Sequence, residues 1–221
     1  MLLIELPVID YDEAYNLQKD ILENKLSKGS PDVLLLLEHP PTITLGIRGK
    51  ISDLLVREEC LTQKGIEIYF SDRGGEATFH GPGQLVCYPI INLKQLGISV
   101  KDYVNRLERT IITALDLFGV KAYRRNGKIG VWTGPDHKIA SIGIRISRRI
   151  AYHGFSLNIA LEHNPSDFMI SCGMPDARMI SLNDLSGTGI SMGSAKEAIA
   201  DSFAKVFGVN LEPCSLDEFF E

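Results

Sequence analysis

The stretch Asp32 to Glu38, DVLLLLE, is a continuous apolar run stopped at once by His39-Pro40-Pro41. It is too short for a helix, and a proline disfavours helical backbone before it, so the run reads as a buried strand. A strand buried in this way obliges the rest of the chain to supply a core around it. The chain has the means, since 221 residues with 44% apolar content suit one large domain or two small ones. No linker divides it. The richest Gly/Pro stretch, Gly81 to Gln84, runs straight into the apolar segment LVCYPIINL, so it is a loop inside a core and not a hinge between cores. A single domain over residues 1–221 is expected, of α+β class, with a mixed β-sheet and packed helices.

Period and end signals place the other elements. MLLIELPVID reads as a first strand. Residues 11–28 have helical spacing, with Ala14, Leu17, Ile21 and Leu22 on one face, Asp10 as cap with Glu13 three residues on, and Gly29 to close. TITLG and IEIYF read as strands, the second leading into the glycine-rich loop Arg73 to Gln84, RGGEATFHGPGQ. LVCYPIINL leads out of it as another strand. Ser99 caps a helix whose apolar face is Val100, Tyr103, Val104, Leu107, Ile111, Leu115 and Phe118, ended by Gly119. Asn126-Gly127 signals a type I′ hairpin. KIASIGIRI and AYHGFSLNI read as strands turned by SRR, and Ser194-x-x-Glu197 starts a last helix that ends at Gly208.

A net charge of −5 argues against nucleic acid as a partner, because phosphate neutralisation needs a basic surface. No apolar run approaches membrane-spanning length, so no membrane partner is expected. The N-terminus lacks a basic n-region and carries Glu5 and Pro7 early, which reads as a strand and not as a signal peptide. The four cysteines, 60, 87, 172 and 214, form no C-x-x-C pair, so free thiols in a reducing cytoplasm fit best.

The glycine-rich loop is where backbone N–H groups can approach a ligand, and phosphate, a metal-bound anion and an acyl carbonyl oxygen are all open at the outset. It is no P-loop, because Gly49-Lys50 and Gly127-Lys128 are both followed by isoleucine. It is no dinucleotide fingerprint either, since GPGQLV lacks the third glycine and runs into a strand. His80 and His153 have no partner at ligand spacing, which favours hydrogen-bonded structural roles, and neither metal nor cofactor is expected. Cys60 and Cys214 have acidic neighbours, and Cys87 sits in an apolar strand as an inert core residue. Cys172 follows FMIS and precedes Gly173, Met174 and Pro175, a turn that can expose a sulfur beside free N–H groups; on spacing alone a buried structural thiol is the commoner outcome, and the choice stays open.

Together, RGGEATFHGPGQ, KIASIG at 138–143, HGFSLN at 153–158 and FMISCG at 168–173 resemble, in order and spacing, the octanoyltransferases of lipoate biosynthesis, over roughly residues 30 to 185. The resemblance implies a fold similar to the catalytic domain of biotin and lipoate protein ligases. It implies transfer of an octanoyl group from octanoyl-acyl carrier protein to a lysine of lipoyl domains, those of 2-oxoacid dehydrogenase E2 subunits and the glycine cleavage H protein, through an acyl-thioester. By position, the acyl-accepting cysteine falls on Cys172 and the catalytic lysine on Lys138. Substrate-lining positions fall on Arg73, Gly74, Gly75, Glu76, Ala77, Thr78, Phe79 and His80, on Ser141, Ile142 and Gly143, and on Gly154, Phe155 and Ser156. The chain departs from the family at Ser171, usually proline, at Phe79, usually tyrosine, and at Ser156, usually alanine.

Burying about seven carbons of such a chain at roughly 0.8 kcal/mol each is worth on the order of 5 kcal/mol. A lowered thiol pKa gains little by itself, because nucleophilicity falls with a Brønsted slope of about 0.4–0.5. Lys138 therefore matters chiefly in the second step, where acylation of Cys172 frees it to take the proton of the attacking amine. An acidic donor calls for a local basic face, and Arg124, Arg125, Arg145, Arg148, Arg149 and Arg178 are the available cations. Two other readings share the fold or the slot: an ATP-dependent lipoate or biotin ligase, and a non-catalytic acyl-binding module.

Overall fold

Val33 to Leu37 are all fully buried, as the DVLLLLE run requires. The computed structural model describes residues 1–221 and surrounds that run on both faces. In chain order the first half holds β1 (Leu2–Val8), α1 (Tyr11–Lys28), β2 (Val33–Glu38), β3 (Thr42–Leu45), α2 (Glu58–Gln63), β4 (Glu67–Phe70), β5 (Ala77–His80) and β6 (Gln84–Asn92). The second half holds α3 (Val100–Leu117), β7 (Tyr123–Arg125), β8 (Lys128–Trp132), β9 (His137–Ser147), β10 (Ile150–Asn158), β11 (Arg178–Met179), α4 (Leu182–Ser186), α5 (Met192–Phe207), β12 (Glu212–Pro213) and α6 (Leu216–Phe220).

The main sheet has the order β12-β1-β2-β6-β10-β9-β8-β7, with β11 paired beside β9. Strands β12, β1 and β2 run parallel and the pairs from β2 to β7 antiparallel, so the sheet is mixed. Side chains alternate between its two faces. Leu34 and Leu36 join the larger core with α3 and α5, while Val33, Leu35 and Leu37 join a second core under α1. A small sheet, β4-β3-β5, has its own core of Ile43, Leu45, Ala77 and Phe79 with Phe168 and Met169.

Several end signals fall differently from the sequence reading. Asp10 stands at the start of α1 but makes no side-chain cap bond. α5 is capped by Ser191, whose hydroxyl accepts from the Ser194 N–H, three residues before the expected cap. Val100 is half exposed and lies off the apolar face of α3, whose buried line is Tyr103, Leu107, Ile111 and Leu115. Part of the glycine-rich segment is strand, not loop, because Ala77 to His80 find the free edge of β3.

The two hairpin turns exchange their expected chemistry. At Asn126-Gly127 only Gly127 has positive φ, so the turn is not type I′. Arg148 (φ 47°) and Arg149 (φ 73°) both have it, in the two-residue connection of β9 to β10. The C-terminal tail packs: Glu212 and Pro213 pair with Leu2 and Leu3, and Leu216 and Phe219 cover the second core.

Pro89 lies inside β6 with strands on both sides. It has no N–H to offer, and the β6–β10 pairing breaks between Ile91↔Ala151 and Cys87↔Phe155. At that break His153 takes φ 54° and its N–H turns to Gln18 Oε1 at 2.8 Å.

Candidate active site

Arg73 is buried and holds the glycine-rich segment to the end of β3. Its guanidinium donates to the Thr44 hydroxyl (2.8 Å) and carbonyl and to the Glu76 carbonyl (2.8 Å). The Gly74 N–H donates to the Ile144 carbonyl at 2.9 Å, which lays the segment across β9. A Cβ at Gly143 would come within 2.7 Å of the Gly74 carbonyl, so glycine is required for that approach. At the rim, Arg48 donates to Glu76 at 2.8 Å.

Lys138 is the second position of β9 and only 1% exposed. Its Nζ donates to Cys172 Sγ at 3.1 Å and lies 5.7 Å from the centre of the Trp132 ring, itself fully buried. Gly130 in β8 makes room: a Cβ there would meet Lys138 Cε at 2.6 Å, and its φ is 123°. The Gly130 N–H is taken by Glu108 of α3 at 3.2 Å, and burial raises the Glu108 carboxyl above the usual range.

Cys172 sits in a 3₁₀ turn, Ser171–Gly173, with left-handed backbone at φ 53°, ψ 32°. A non-glycine residue held there is strained, which marks the turn as over-determined by its surroundings. The Ser141 and Thr78 hydroxyls flank the sulfur at 3.7 and 3.9 Å. Burial pushes the thiol up, but the charge and hydrogen bond of Lys138, with Ser141 and the more distant Arg73, outweigh it and hold the thiol below its ordinary value. The hydroxyl of Ser171, the residue that departs from the family pattern, is buried without a partner.

A cleft of ≈390 Å³ opens over Cys172 and Lys138, lined by the loop Arg73 to Glu76, Thr78, Ile142 and Gly143. A second, of only ≈20 Å³, shares Arg73, Thr78 and Gly143 and reaches His80, Ser141, Gly154, Phe155 and Ser156. Ligand pockets commonly measure roughly 300–1,000 Å³, so the larger cleft has the room and the smaller is an extension of it. The two carried-over triplets meet by register, Ser141↔Ser156, Ile142↔Phe155 and Gly143↔Gly154. The segment Ala77 to His80 is divided by strand alternation. Thr78 and His80 face the clefts, whereas Ala77 and Phe79 belong to the small sheet's core, Phe79 reaching only a narrow gap beneath Cys172.

The three buried histidines have hydrogen-bond partners. His39 Nδ1 faces the Ile9 carbonyl at 2.8 Å and Nε2 the Tyr88 hydroxyl at 2.9 Å, and burial lowers its pKa to about 4. His80 bonds Gln84 at 2.7 Å and His153 bonds Asp72 at 2.8 Å. Asp72 also accepts from the Tyr152 hydroxyl; its own burial raises it, but the two bonds lower its pKa to about 2. Sequence reasoning missed Trp132, Gly130 and Glu108 around Lys138. One signal was present, since a glycine inside a strand marks a close approach of another group.

The chain matches the lipoyl protein ligase A/B catalytic domain over residues 10–204. It is 40% identical over 217 residues to an octanoyltransferase of Syntrophobacter fumaroxidans, covering 98% of this chain and 94% of that one. In fold it is similar to a bi-partite lipoate protein ligase from Thermoplasma acidophilum, with TM-score 0.78, 14% identity and coverage of 99% and 88%. It is also similar to the biotin protein ligase of Aquifex aeolicus, with TM-score 0.55, 13% identity and coverage of 94% and 69%.

Proposed function

Because the chain belongs to the lipoyl protein ligase A/B catalytic domain family, and within it to the octanoyltransferases, we propose that it moves its acyl group through a thioester on Cys172. It is an acyltransferase that carries octanoyl groups in protein lipoylation. The donor in this reading is octanoyl-acyl carrier protein. The acceptors are lysines of lipoyl domains, in 2-oxoacid dehydrogenase E2 subunits and the glycine cleavage H protein. Residues 1–221 act as one catalytic domain, in the cytoplasm.

The observation that supports the route is the 3.1 Å contact between Lys138 Nζ and a thiol held below its ordinary pKa. Lys138 donates to the sulfur and favours the Cys172 thiolate. The Cys172 thiolate attacks the thioester carbonyl, a new C–S bond forms, and the donor's C–S bond breaks. The donor sulfur leaves with the proton of Lys138. The acceptor amine, deprotonated on entry, then attacks the Cys172 thioester; the C–N bond forms, the amine's proton passes to Lys138, and the thiolate is released. One lysine serves both steps and ends as it began. The acyl chain lies along the crevice between the Arg73 loop and the Ser141 to Gly143 segment, with Thr78 and Ser141 beside the reacting sulfur.

Intact mass after mixing with octanoyl-loaded carrier, without ATP, tests this directly. One octanoyl adduct in wild type and none in Cys172→Ala is expected. Acylation of a lipoyl domain only when ATP is added, with no adduct, would point to a ligase instead.

A further inference from the structure

The cleft over Cys172 continues past the β7–β8 hairpin. There it meets a groove of ≈1010 Å³ between α3 and the hairpin, and the two share Val104, Gly127, Lys128 and Ile129. Four cations line the groove, Lys101, Arg124, Arg125 and Lys128, against the single carboxylate of Glu108. This sign runs counter to the whole chain, whose net charge is −5. Glu108 is itself buried and shared, taking the Gly130 N–H at 3.2 Å with Arg124 at 3.9 Å. The guanidinium groups are held in place before anything binds. Arg124 donates to Asn105 Oδ1 at 2.8 Å, and Arg125 stacks 4.7 Å above the Trp132 ring. Val100 and Ile129 stand half exposed on the same surface, 50% and 55%. Fixed cations beside exposed apolar side chains are complementary to an acidic, amphipathic surface.

The other arginines do not share this position. Arg148 and Arg149 turn β9 into β10, ten residues along the strand from Lys138, or roughly 30 Å at strand rise. Arg178 is paired with Asp136 at 3.6 Å.

We propose that the groove between α3 and the β7–β8 hairpin docks the acyl donor, a carrier protein with an acidic helical surface that presents its thioester on a long flexible arm. The proposal rests on the thioester route above. Reach selects the donor over the acceptor. A lysine side chain spans only roughly 6 Å, so an acceptor has to sit on the mouth of the cleft itself. The groove is lined by neither Cys172 nor Lys138. A partner seated there can deliver its carbonyl only on an arm that runs past Lys128 and Ile129 into the cleft.

The test measures Cys172 acylation with two donors, octanoyl-loaded carrier protein and a small uncharged octanoyl thioester. Wild type is compared with the double variant Lys101→Glu, Arg124→Gln and with the hairpin control Arg148→Asn, Arg149→Asn. The groove variant should lose about tenfold in kcat/KM with the carrier, keep its rate with the small thioester, and show a shallower salt dependence. The control should match wild type with both donors. Equal losses with both donors, a larger loss in the hairpin variant, or a defect confined to the acceptor's KM would each overturn the proposal. Absence of any Cys172 adduct in wild type with either donor would overturn the thioester route and this docking with it, a pattern distinct from the other three.

Discussion

Two polar clusters lie against the Arg73 loop, and they differ in how completely their groups are paired. Around Asp72 and Tyr88 the histidines are locked. His39 has two partners, His80 bonds a glutamine that also bonds Asn158, and His153 and Tyr152 share Asp72. Tyr15 stacks on His153 and Tyr11 on His80, and only His153 Nδ1 and Gln18 Nε2 are left over. Around Cys172 the opposite holds. A fully buried ammonium has one hydrogen-bond partner, the Cys172 sulfur; the turn carries left-handed strain, and the Ser171 hydroxyl has none. A buried network with its bonds made rigidifies a fold, whereas a buried charge with one partner changes state when that partner reacts. The difference separates scaffold from chemistry among residues of similar burial and polarity.

The sharpest way to break this contrast is at Lys138. Lys138→Met should cost 10²- to 10⁴-fold in transfer to the acceptor, the range for a proton-transfer group, and should shift the rise of Cys172 acylation rate to higher pH. The sign follows from Lys138 favouring the thiolate: without it, a higher pH is needed to reach the same ionised fraction. Lys138→Arg should keep much of the acylation step and lose the acceptor step; wild-type transfer in that variant would remove the proton-accepting role. Single-turnover rates against pH separate the two steps.

Gly130→Ala comes next. Its methyl group meets Lys138 Cε and the Ala140 carbonyl, both at 2.6 Å, so the lysine must move. About 10- to 100-fold lower activity is expected with a chain that remains folded, and the pH rise should move in the same direction as in Lys138→Met.

On the scaffold side the effect should appear in stability. His39→Phe strands the Ile9 carbonyl and the Tyr88 hydroxyl and should cost roughly 2–3 kcal/mol by urea unfolding, with activity per folded molecule within a few-fold of wild type. A large activity loss without a stability loss would erase the distinction drawn between the clusters.

The same histidine sets a pH window. His39 titrates at about 4 in the fold against 6.5 ordinarily, so the unfolded chain binds the extra proton between those values. Stability should therefore decline as pH falls from about 6.5 to about 4, by an amount on the order of 3 kcal/mol from this group. His39→Phe should flatten that part of the curve. The smallest effect is expected at Arg48→Ala, whose pair with Glu76 is exposed and is worth about 0–1 kcal/mol.

Much of this was legible in the sequence where the signal is local. The buried strand at Val33 and the face of α3 follow from apolar period and helix ends, and the four ordered motifs carried the family. Turn type was not legible: Asn126-Gly127 signalled a geometry that Arg148-Arg149 adopts, because the twist of the long β9–β10 pair overrides residue preference at its tip. The alternation within the eight consecutive residues was not legible either, since a strand shows alternate residues, here Thr78 and His80, to a cleft and the others, Ala77 and Phe79, to a core.

The sequence by itself determined which reactive groups the chain possesses and which strands must be buried, because residue type and period carry that information without any distant contact. Only the tertiary structure decided that Lys138 is buried against Cys172 and not solvated, that Gly130 and Trp132 shape its pocket, and that Arg124 and Arg125 line the groove adjoining that cleft while Arg148 and Arg149 lie far from it. Those facts depend on the register between strands and on which helix packs against which face, and register is set by the whole sheet and not by any one segment.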